Sequence, residues 1–128
     1  SKSDAFRHFN AKEKFRAFDE EVLRDYIEYG TVETESGVKL FFEPRIESKI
    51  YRTLPHNFAK YRGKLKIPAA YIGGNDSREA RLAGLNFMKK NFPISFYFLE
   101  GSHLFPFEKP GETAQTIKSI LSEQSDSK

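Results

Sequence analysis

The sequence predicts an α/β fold whose second half is a piece of parallel sheet. Two apolar runs, Ile67 to Ile72 and Ile94 to Leu99, have the length and branched or aromatic content of buried strands, and each is followed by a stretch with helical apolar spacing. Strand, helix, strand, helix is the order of parallel α/β units. The first half has a different rhythm, mostly helical with one strand-like excursion.

Along the chain, Asn10 with Glu13 three residues on reads as a helix-opening capping pair. From Asp19 to Tyr29, Val22, Leu23, Tyr26 and Ile27 fall on one helical face, and Gly30 ends the helix. Val38, Leu40 and Phe42 then alternate beside Glu35-Ser36-Gly37, a pattern for a small hairpin or an extended excursion between Thr31 and Phe42. Pro44 starts a further helix to about Leu54, Leu54-Pro55-His56-Asn57 is a break, and Phe58 to Tyr61 is a short turn or helix before the basic stretch Arg62 to Lys66.

In the second half the strand at Ile67 to Ile72 closes at Gly73-Gly74-Asn75-Asp76, and a helix runs on to about Asn91 with Leu82, Leu85 and Met88 recurring beside Ala83 and Phe87. The strand at Ile94 leads into Gly101-Ser102-His103, and Pro110 and Thr113 open an amphipathic helix with Ala114, Ile117, Ile120 and Leu121 on its apolar face. The polar tail from Ser122 is expected to fray. Two parallel strands leave unpaired edges and uncovered faces, so this half reads as the end of a larger sheet. The expected division is 1–60, a helical segment; 61–122, strand-helix-strand-helix; and 123–128, a disordered tail.

With 128 residues, 38% of them hydrophobic and including 13 Phe and 6 Tyr, the chain can supply a packed core. Its net charge of +3 is interspersed and not gathered into a basic arm, so nucleic acid is not an expected partner. Absence of Cys removes disulfides, thiolate metal sites and a cysteine nucleophile, and a cytoplasmic location is the simplest reading. No apolar run approaches the roughly 20 residues of a membrane helix, and Ser1 to Asn10 lacks the apolar core of a signal peptide, so no membrane association is expected. A first residue that is Ser and not Met points to a processed or engineered start, or to one that is not the natural start of the gene.

His103 is the leading candidate for chemistry, because a histidine between a strand and a helix can serve as general base while a carboxylate fixes its tautomer. The competing reading caps the helix with it or packs it among Phe105 and Phe107. Glu108, between Pro106 and Pro110, reads as a structural charge at the last helix's N-terminus. His8 and His56 lack the spacing of a chelating pair, and Gly73-Gly74-Asn75 lacks the lysine of a phosphate loop, so neither a metal nor any other cofactor is expected. Phe6, Phe9, Phe15 and Phe18, like Tyr51, Phe58 and Tyr61, could line an apolar pocket or fill a core.

These residues resemble the C-terminal part of an α/β-hydrolase-fold enzyme, over essentially the whole chain. Residues up to about Leu54 resemble its mostly helical cap, including Tyr26-Ile27-Glu28-Tyr29-Gly30 and Glu43-Pro44-Arg45-Ile46-Glu47. Ile67-Pro68-Ala69-Ala70-Tyr71-Ile72-Gly73-Gly74 resembles the strand before the catalytic acid, and Gly101-Ser102-His103 with Pro106, Glu108 and Pro110 resembles the catalytic histidine loop. The resemblance implies His103 as base and Asp76 as the candidate acid, although the family's usual Asp falls one residue later, at Ser77. Phe105 and Tyr51 are the expected substrate contacts.

The nucleophile is not in the chain. No Ser has Gly two positions before it, and Asp76, which does, has Arg78 where an elbow's second Gly belongs. The resemblance therefore implies a carboxylic ester hydrolase whose Ser lies in an N-terminal half, on the same or a separate polypeptide. An Asp nucleophile there would give epoxide or haloalkane hydrolysis. The reading from another class is a non-catalytic module that pairs through its sheet edge with a partner or with a second copy of itself.

Overall fold

A computed structural model describes residues 1–53, 57–82 and 84–126. The chain forms two compact units, Ser1–His56 and Asn57–Lys128. The 3-10 turn Phe58–Tyr61 belongs to the second unit. The break expected at Leu54-Pro55-His56, the residue Ala83 and the end of the tail at 127 and 128 lie outside the described residues.

In the first unit, α1 (Lys2–Asn10) opens on a capping box, in which the Ser1 hydroxyl accepts from the Asp4 amide and the Asp4 carboxylate accepts from the Ser1 ammonium. Asn10 is the last residue of α1 and not the cap of the next helix; the short α2 (Glu13–Arg16) follows Lys12, which makes no side-chain cap. Asp19 caps α3 (Glu20–Gly30), accepting from the amides of Glu21 and Val22. Leu23 and Ile27, four apart on α3, are the buried apolar residues of this unit among the described residues. Lys2 crosses from α1 to α3, donating to the Glu28 carbonyl at 2.7 Å.

Phe9, Phe15 and Tyr26 gather with ring centroids 4.8 to 5.7 Å apart, and Phe18 joins Phe15 at 5.3 Å. These rings pack against one another in the manner of a small core. The hairpin expected around Glu35-Ser36-Gly37 is present: β1 (Thr31–Thr34) pairs antiparallel with β2 (Gly37–Leu40). Helix α4 (Pro44–Arg52) starts at Pro44, where a missing N–H costs nothing, and leaves Ile46, Ile50 and Tyr51 exposed.

In the second unit, β3 (Ala70–Gly74) lies parallel to β4 (Ser95–Leu99), with Ala70 opposite Ser95 and Gly74 opposite Leu99. The strand begins three residues later than the apolar run and takes in Gly73 and Gly74, so the glycine pair is part of the ladder and not its end. The single helix expected between the strands is two, α5 (Arg78–Leu82) and α6 (Leu85–Asn91), broken before Leu85 at Gly84. That break turns Leu82 out to 88% exposure, while Ala80 and Leu85 are buried in its place.

After β4 come the short α7 (Phe105–Glu108) and the long α8 (Pro110–Asp126). Residues 123–126 are helical where the polar composition pointed to a frayed tail. Tyr97 turns toward α8 and donates to Glu123 Oε2 at 3.0 Å. On the opposite sheet face Tyr71 lies 5.6 Å from Phe96 and 6.2 Å from Phe98, with the Lys89 ammonium of α6 over both Phe rings. Each strand has the other as its only strand partner among the described residues, so both outer edges are open. None of the described helices is long and apolar enough to cross a membrane.

Candidate active site

The loops that leave β3 and β4 at their C-terminal ends are stitched together through the main chain. Asn75 donates its amide to the Leu99 carbonyl at 2.8 Å, and Asp76 donates to the Gly101 carbonyl at 3.0 Å. The C-terminal edge of a parallel sheet is where α/β proteins place their ligands, since each strand ends there in a loop free to carry function. His103 and Asp76 stand on these two loops.

Glycine makes the close approach possible. A Cβ on Gly74 would lie 2.5 Å from the Gly101 carbonyl oxygen and nearer still to that of Ser102, so only a residue without a side chain fits. Gly101 takes φ of 130°, a conformation that other residues rarely adopt, and this turns the chain from β4 into the histidine loop.

Glu108 fastens the loop from below. Its Oε2 accepts from the Ser102 amide at 3.0 Å and its Oε1 accepts from the Ser102 hydroxyl, while Ser102 Oγ accepts in turn from the Leu104 amide at 3.0 Å. Glu108, expected to be a structural charge just before the last helix, also closes the turn that presents His103. Its place at the end of α7, six residues after Ser102, brings the carboxylate back over the turn.

His103 sits in that turn with its side chain 39% exposed, and its Nδ1 lies 3.2 Å from Glu79 Oε2. Its Nε2 has no hydrogen-bond partner among the described residues. Asp76 is held by its backbone, while its exposed carboxylate makes no hydrogen bond or ion pair among the described residues. Ser77, where the resemblance places the usual acid, is buried and caps α5, its Oγ accepting from the Ala80 amide at 3.1 Å. Sequence reading missed Glu79, because a residue in the first turn of a helix is ordinarily read as a favourable charge there. The signal was its position within one turn of the expected acid.

Phe105, an expected substrate contact, is buried in the second unit at the start of α7. Tyr51 stands on α4 of the first unit with 67% exposure. No group of three His, Asp or Glu that could hold a metal occurs among the described residues, and His56 lies outside them.

The parallel strand pair and its flanking helices form part of an α/β-hydrolase fold. Two solved structures share it over nearly the whole chain. E-2-(acetamidomethylene)succinate hydrolase superimposes with a TM-score of 0.72 at 14% identity, over 94% of this chain and 45% of that one. The thioesterase domain from the curacin biosynthetic pathway gives a TM-score of 0.72 at 18% identity, over 94% of this chain and 43% of that one. The present chain thus spans less than half the length of either, and at such identities the likeness establishes the fold alone. No protein-family model and no curated protein matches the sequence significantly.

Proposed function

We propose that this chain is the cap and histidine-bearing part of a hydrolase acting on a carboxylic ester, with the nucleophilic Ser supplied by the other half of the fold. The observation that supports the reading is His103 itself, with a carboxylate oxygen 3.2 Å from Nδ1 and with Nε2 unpartnered among the described residues, at the C-terminal edge of the parallel strand pair. Nε2 would take the proton of the Ser hydroxyl as it attacks the ester carbonyl, and return it to the departing alkoxide. Both solved neighbours bear names of hydrolytic enzymes, which favours bond cleavage by water over a binding role.

The natural protein, as one long polypeptide or as a complex of two, is expected to turn over p-nitrophenyl esters. His103→Ala is expected to lower kcat by about 10²- to 10⁴-fold, the usual share of a general base. Undiminished turnover in that variant would remove the reading. Turnover of an epoxide or haloalkane in place of an ester would move the nucleophile to Asp within the same fold.

The open edges of β3 and β4 favour one second reading, a non-catalytic module that recruits a partner strand or a second copy of this chain. It predicts that the natural protein is oligomeric through this sheet and hydrolyses none of these substrates.

A further inference from the structure

The acidic partner of His103 can be read from the geometry independently of the missing nucleophile. A neutral imidazole carries one N–H, and the nitrogen that holds it is set by what the ring meets. A carboxylate at Nδ1 accepts the N–H there and leaves the lone pair on Nε2, which is the form a general base needs. Glu79 Oε2 lies 3.2 Å from Nδ1.

The first turn of α5 holds Glu79 in that place. Ser77 is buried, its amide donates to the Gly74 carbonyl at 3.1 Å, and its Oγ accepts from the Ala80 amide at 3.1 Å. Ala80 is buried as well, so the residues on either side of the turn are anchored. The Ser77 hydroxyl also lies 3.4 Å from Glu79 Oε2, the same oxygen that faces His103. Asp76 differs in kind: its main chain is tied to Gly101, but that tie does not aim its carboxylate at the ring.

We propose that Glu79, and not Asp76, is the positioning carboxylate of His103, and that Ser77 serves by fixing the helix turn that carries it. The proposal deepens the hydrolase reading and rests on it for its purpose. With 39% and 57% of the two side chains exposed, the pair adds little to stability, so its worth lies in setting the ring's tautomer and orientation.

The test reads the tautomer directly, by two-bond ¹H–¹⁵N correlation of the His103 ring in the full 128-residue chain at a pH where the ring is neutral. The Nδ1–H form is expected to predominate, to be lost in Glu79→Ala, and to persist in Asp76→Ala. Glu79→Gln, which keeps the side chain's bulk, is expected to fall between, and it serves if Glu79→Ala does not fold. An unchanged spectrum in both Glu79 variants overturns the proposal, and loss of the Nδ1–H form in Asp76→Ala assigns the role to Asp76 and also overturns it. Because the measurement needs no nucleophile, it stands or falls apart from any ester turnover by the natural protein.

Discussion

Glu108 grips Ser102 at two points, its backbone amide and its hydroxyl, and so closes the turn on which His103 stands. Hydrogen bonds to a charged, half-buried acceptor are worth more than neutral ones, and losing the acceptor strands an amide. Glu108→Ala is expected to cost about 2 kcal/mol in urea unfolding with an unchanged m-value. Amide exchange at Ser102 should quicken more than at β4. A loss confined to the m-value would point instead to a change in compactness.

Gly74 and Gly101 are expected to be intolerant of Ala for different reasons. At Gly74 the obstacle is backbone, the carbonyls of Gly101 and Ser102, so the two loops must separate. At Gly101 the obstacles are the positive φ and a Cβ 2.5 Å from Glu108 Oε2. Each substitution is expected to cost about 1–3 kcal/mol, as for overpacking and backbone strain. Gly111→Ala, in open space within α8, is expected to be neutral or mildly stabilising in the same melts.

The sheet was legible because its strands carry their own period and composition, and the hairpin because Glu35-Ser36-Gly37 breaks an alternating run. Less legible were features set by contacts. The single helix expected to reach Asn91 is two because the chain turns at Gly84, which no apolar spacing reveals. Asn10 resembled a cap in composition, yet Ser1 and Asp4 had already set the phase of α1. The motif marks His103 as the candidate base, whereas nothing in the sequence marks Glu79, since the 3.2 Å approach that brings it to the ring spans two loops.

Lys109 and Glu100 tie α8's approach to the end of β4, at 2.8 Å. The hydrogen bond from Lys109, with its charge, holds the Glu100 carboxyl below its ordinary value of 4.5, and the hydrogen bond to Glu100 raises Lys109 above 10.5. The lowered carboxyl contributes stability above its ordinary value and loses it as pH falls through the lowered one; the raised ammonium contributes below 10.5 and loses it as pH rises beyond. Titration of the Glu100 carboxyl carbon by NMR should show the depressed midpoint, and Lys109→Met should return it toward 4.5. A midpoint indifferent to Lys109→Met would show that the two side chains do not meet in solution.

Helix α8 separates burial within this chain from apolar surface left for a neighbour. Ile120 is buried, whereas Ile117 and Leu121 on the same helix are 44% and 58% exposed. Ile120→Ala should cost about 2–5 kcal/mol, the range for removing a buried aliphatic side chain. Ile117→Lys and Leu121→Lys should change the isolated chain's stability by no more than about 0.5 kcal/mol, as at ordinary surface positions. If the other half of a hydrolase fold covers this face, the same two Lys substitutions should weaken the natural protein's assembly, read as dissociation in sedimentation for two chains or as a lowered melting temperature for one. Equal behaviour of the Lys variants in the isolated chain and in the natural protein would show that this face stays open to solvent.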